Sequence, residues 1–132
     1  MTRLFRGKRK DSGDWAIGYY SKKLYPERHF ITYWTCNETV EVIPETVGQS
    51  TGLEDKNGKE IFEGDIIRVK DKMENTLNDC KVIFESGSYK AVPLEDGDLA
   101  YIMFFASQNG EIIGNIHEEA HKVYTNQEGD EN

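Results

Sequence analysis

The sequence holds few of the residues on which secreted modules, metal centres and many enzymes depend. Only two cysteines and three histidines occur in 132 residues. Cys36 and Cys80 are far apart and form no C-x-x-C unit, which excludes a disulfide-dense scaffold and a zinc ribbon. Both are expected to be buried thiols acting as small apolar side chains in a reducing compartment, a disulfide being the lesser alternative. No apolar run approaches the roughly 18 to 20 residues that span a bilayer. The basic opening, MTRLFRGKRK, is followed by no apolar stretch of the kind a secretory signal needs. A cytoplasmic location with no membrane partner is therefore expected. Phosphate-cradling loops are missing too: neither G-x-x-x-x-G-K-[ST] nor G-x-G-x-x-G occurs.

What is present describes a globular chain. Hydrophobic residues make up 37% and charged residues 30%, and six Phe, seven Tyr and two Trp place it outside the disordered class. The net charge of -8 is unevenly spread. Residues 1–30 carry eight Lys/Arg against three Asp/Glu, so the acidic excess lies beyond them. A duplex-binding protein usually presents a basic surface that displaces counterions. Most of this chain would repel a polyanion, so nucleic acid is a disfavoured partner.

Short strands separated by turns dominate the local pattern. WAIGYY (15–20), HFITYWT (29–35) and TVEVI (39–43) are rich in aromatic and β-branched residues. In TVEVI, Val40 and Val42 point one way and Thr39, Glu41 and Ile43 the other, the alternation of a half-buried strand. Asn57-Gly58 predicts a type I′ hairpin turn, in which both residues take positive φ. Gly64-Asp65 predicts a second turn or bulge leading into IIRV. DKMENTLND (71–79) reads as a polar loop, and CKVIFE and YKAVPL flank a hairpin turn at Ser86-Gly87-Ser88. LAYIMFF (99–105) is expected to be a central strand, although periodicity leaves a buried helix open.

One pentad suggests chemistry. His117-Glu118-Glu119-Ala120-His121 has the H-E-x-x-H form of helical zinc sites, and Asn115 followed by Glu118 makes a capping box for a short helix over residues 116–124. Catalytic zinc also needs a third protein ligand. The longer metzincin pattern would want Gly at 124 and His at 127, where Tyr124 and Gln127 stand. An amphipathic helix burying Ile116, Ala120 and Val123 is the simpler reading. A calcium loop in LEDKNGKEIFEG fails at both ends, because Leu53 and Gly64 fall where Asp and Glu are required. No catalytic residue, metal ligand or cofactor is expected, and enzyme status is disfavoured. The remaining candidate surface is the N-terminal arm. Arg6, Lys8 and Arg9, beside Phe5 and Trp15, mix cations and aromatics as phosphate- and base-contacting surfaces do. The competing expectation is that these cations pair with the chain's own acidic body or an acidic neighbour.

FRGKR, then W-x-x-G-Y after a D-x-G-x-W turn, then VIPETVGQSTGLEDKNGKEIFEGDIIRV, and finally EIIGNIHE together resemble the YopX family of phage and prophage proteins. The match spans about 115 residues, and the long central block is its most specific part. The resemblance implies a cytoplasmic protein of a bacterial host that self-associates into a homo-oligomer, and it carries over no catalytic residues. Members usually have Tyr then Glu-Asn-Pro where this chain has His117 to Ala120, so the pentad departs from the family pattern. Ser50 stands where Tyr is usual.

The expected fold is mainly β: an N-terminal β-meander over residues 1–50, a small SH3-like barrel with a terminal helix over 51–124, and a disordered acidic tail over 125–132. The expected function is that of a non-enzymatic accessory protein that forms a homo-oligomer and binds a host or phage macromolecule. Two alternatives are a nucleic-acid-associated module using the basic arm and an acidic decoy of a host DNA-binding protein. A zinc hydrolase ranks last.

Overall fold

The computed structural model describes residues 3–95 and 99–117. The chain is mainly β, in two antiparallel sheets, and divides into two compact units, Met1–Ser50 and Thr51–Asn132.

The first unit is a meander. Strands β1 (Phe5–Lys8), β2 (Trp15–Leu24), β3 (Glu27–Tyr33) and β4 (Thr39–Val42) pair in the order β4-β3-β2-β1. A short 3-10 turn at Pro44–Thr46 then lets β5 (Gly48–Glu54) return beside β1, with Phe5 opposite Gln49. The alternation expected in TVEVI holds, for Val40 and Val42 are buried while Thr39 is exposed. With Ala16 and Ile31 they form a core, against which Phe5, Tyr20, Tyr33 and Val47 pack. One position in β2 admits only glycine. A Cβ on Gly18 would lie 1.9 Å from the carbonyl oxygen of Thr32 and 2.9 Å from the amide nitrogen of Trp34. The end of β3 thus crosses directly over bare backbone.

In the second unit, β6 (Glu60–Phe62) follows β5 in the order of the first sheet. The other sheet contains β7 (Asp65–Lys70), β8 (Thr76–Glu85), β9 (Ser88–Pro93), β10 (Tyr101–Ile102) and β11 (Gly110–Asn115), ordered β10-β9-β8-β7-β11. Helix α1 (Met103–Asn109) lies between the last two. Ile61, Ile67, Val69, Cys80, Val82, Ala91, Met103 and Ala106 form this unit's own core. The SH3-like barrel expected over this unit is not closed among the described residues: β10 and β11 stand at opposite ends of the sheet order, and no pairing joins them.

Several local expectations are corrected. LAYIMFF gives only the two-residue β10 before the chain turns helical at Met103. Met103, Ala106 and Ser107, at helical spacing, face inward. Phe104 and Phe105 face outward, which hides that period in an unbroken apolar run. The polar stretch before Cys80 is not all loop: residues 76–79 belong to β8, where Arg68 pairs with Asp79 across the ladder. Asn57-Gly58 is no type I′ turn, because Gly58 alone takes positive φ, at 84°. The Asp55 carbonyl accepts the Gly58 N–H and the Asp55 N–H reaches Lys59, which is a type I turn with a glycine bulge. The tighter turn falls at Ser86-Gly87, where both residues have positive φ and Glu85 pairs with Ser88. Cys80 is buried as expected, but Cys36 is exposed in the turn after β3. The expected C-terminal helix past His117 and the acidic tail lie outside the described residues.

Candidate interaction surface

The strand period sorts the arm cations. Along β1, Phe5 and Gly7 face the core, and Gly7 sits directly over Val42. Arg6 and Lys8 therefore share the opposite face. Lys8 is paired in register with Trp15. The guanidinium of Arg6 lies 4.4 Å from the Trp15 ring centroid, and the Lys8 ammonium 5.7 Å from it, a cation-π arrangement on a single indole. Arg6 is buried, whereas Lys8 is partly exposed. Arg9 points the other way and leaves the strand at an isolated bridge to Val42. Its Nε and Nη2 donate to the two Asp11 carboxylate oxygens at 2.9 and 2.8 Å, and its Nη1 donates to Tyr33 Oη at 3.2 Å. Those bonds raise the Arg9 pKa above its ordinary value, and Arg9 in turn holds the Asp11 carboxyl down at about 2. The three candidates thus form two separate groups rather than one basic patch.

Further along the same face, Glu41 collects two cations. Arg28 Nη2 lies 2.8 Å from Glu41 Oε1 and Lys10 Nζ 3.0 Å from Oε2. The hydrogen bond from Arg28, then that from Lys10, lowers the Glu41 pKa to about 2. Arg28 also lies over Phe30, 5.3 Å from its centroid.

On the core face a pairing emerges that sequence spacing does not show. Tyr20 Oη and His29 Nδ1 are 2.6 Å apart and their rings stack. Glu27 Oε1 lies 3.9 Å from the other ring nitrogen and 3.0 Å from Lys22 Nζ. The β2–β3 register sets Tyr20 opposite Ile31 and Lys22 opposite His29, so the contact depends on alignment between strands. Of the terminal pentad only His117 is described. Its N–H donates to Asn115 Oδ1 at 2.9 Å, a local turn bond two residues along the chain. Among the described residues no three His, Cys, Asp or Glu gather as a metal would require.

The second unit carries buried carboxylates with structural partners. Asp55 Oδ1 accepts the N–H groups of Asn57 and Lys59, and Oδ2 accepts that of Ile112, each at 2.9 Å. Asp65 Oδ2 accepts the Phe62 N–H at 2.8 Å. Described residues of this unit line two shallow clefts. One, of about 450 Å³, is lined by Tyr89, Lys90, Tyr101 and Ile102 among others. The other, of about 270 Å³, is lined by Thr76, Leu77, Asn78, Asp79, Leu94 and Glu95. Large apolar side chains stand in the open: Leu99 is 89% exposed, Ile102 72% and Phe104 63%. In the first unit, the tip of the β2–β3 hairpin exposes 61% of Leu24 and 90% of Tyr25. No helix among the described residues is long and apolar enough to cross a membrane.

Comparison with protein families shows residues 4–123 matching the model described as "YopX protein". A comparison with the curated proteins finds no match.

Proposed function

Because the chain belongs to the YopX family, we propose that it is a non-enzymatic phage or prophage accessory protein that self-associates and binds a host or phage macromolecule in the bacterial cytoplasm. The observation that supports this is the exposure of Leu99, Ile102 and Phe104 around β10 and α1. A stable monomer seldom gathers large apolar groups on its surface, and a contiguous apolar patch marks a contact surface. A chain of 15.2 kDa gains most from covering such groups. The arm geometry weighs against the nucleic-acid alternative, since Arg6 is packed under Trp15 and Arg9 is held by Asp11. Sedimentation analysis with native mass measurement tests the reading. Assembly into a defined multiple of the chain mass is expected, and Ile102→Ser with Phe104→Ser is expected to weaken it. A wild-type chain that stays monomeric at high concentration would overturn it.

A further inference from the structure

The β2–β3 hairpin is longer than the sheet that holds it. β1 flanks β2 only as far as Gly18, and β4 flanks β3 only from His29 onward. Among the described residues nothing pairs with the outer edge of residues 19–24. Because β4 still pairs with β3 at His29, which stands opposite Lys22, only Lys23 and Leu24 with Glu27 and Arg28 extend past both neighbours, a two-stranded arm of about 7 Å at about 3.3 Å per residue. An isolated two-stranded ribbon is marginal in water. Its end carries Leu24 and Tyr25, where polar turn formers are usual, and both are exposed. Lys22 and Lys23 stand just behind them, on opposite faces of the strand.

We propose that this arm docks on a second copy of the chain, placing Leu24 and Tyr25 in the cleft bordered by Leu77, Leu94, Asp79 and Glu95. The inference rests on the self-association reading and adds to it a contact separate from the apolar surface around β10 and α1. Charge complementarity selects the occupant. Residues 1–50 hold eight Lys/Arg and six Asp/Glu, whereas residues 51–132 hold eight and eighteen. A positive arm thus finds its complement in the acidic second unit of another copy. Charge also selects the cleft. The larger one is lined by Lys90 and no carboxylate, while the smaller joins two leucines to two carboxylates. Asp79 already binds Arg68 at 2.9 Å, which leaves Glu95 to meet a lysine of the arm. Each copy then offers one arm and one cleft, a head-to-tail contact rather than a self-complementary one.

The test compares wild type, the arm variant Leu24→Ser/Tyr25→Ser and the cleft variant Leu94→Ser/Glu95→Lys by sedimentation velocity. All the altered side chains are exposed, and thermal melting monitored by circular dichroism verifies that each variant folds. Each variant alone should need at least about tenfold more protein to assemble. Mixed together, they should form a pair through the one intact arm and the one intact cleft. Lys23→Glu combined with Glu95→Lys should assemble better than either change alone. High salt should weaken the wild-type contact, because the Debye length falls from about 10 Å at 0.1 M to about 3 Å at 1 M. If the folded arm variant assembles like wild type, or the mixture forms no pair, the arm proposal is wrong while self-association stands. A monomeric wild type removes both.

Discussion

At the scale of single residues, polar side chains that bond to backbone hold the fold together beside its apolar cores. Asp55 is the clearest case. Its carboxylate satisfies two amides of its own turn and that of Ile112, 57 positions away. Asp55→Ala should leave three partly buried backbone donors without their acceptor and lower stability by about 1–3 kcal/mol. Asp55→Asn, which retains an acceptor oxygen, should cost less. Urea titration at constant m-value measures both. The exposed ion pairs make a different, pH-dependent contribution. Glu41 is lowered from 4.5 to about 2 by Arg28 and Lys10, and Asp11 from 3.8 to about 2 by Arg9. A carboxylate whose folded pKa is depressed stabilises the fold above its unfolded value and loses that contribution as the pH falls toward its folded value. The melting temperatures of wild type and Glu41→Gln should therefore differ most above pH 4.5 and converge toward pH 2. A gap unchanged over that window would contradict the assignment.

Elements come next, and here pattern and geometry part company. Gly18→Ala should be severe for a residue so small. The added carbon would sit on the Thr32 carbonyl, so β3 must shift, at a cost of about 1–3 kcal/mol or more. Denaturant unfolding reads the loss, and hydrogen exchange should place it in β2 and β3. The meander was legible because Val40 and Val42 alternate with polar neighbours and turn residues separate the strands. Helix α1 was not legible as a helix, because two phenylalanines on its outer side made the segment look buried all round. The start of β8 was hidden for the opposite reason. Its residues are polar, and what holds them is the ladder to β7 and the Arg68–Asp79 pair rather than burial. The candidate cations show the same limit. Their strand period was readable, but the pairing of Lys8 with Trp15 and the reach of Arg9 to Tyr33 depend on register and on chain reversals. The exposed Leu24–Tyr25 tip carried no warning in the pattern, since apolar residues in a strand-rich segment suggest a core.

For the molecule as a whole, charge is the property with the widest reach. A net charge of -8 and an isoelectric point near 4.9 keep copies apart at neutral pH, except where complementary patches meet. Light scattering against pH should show least solubility close to pH 4.9 and recovery on either side. The two thiols give the units unlike chemical fates. Cys36 is open to solvent in the first, while Cys80 is fully covered within the second sheet. A maleimide dye added to native protein should label position 36 at once and spare position 80. The slow arrival of a second label would then time the transient openings of that sheet, an internal clock read without altering a single residue.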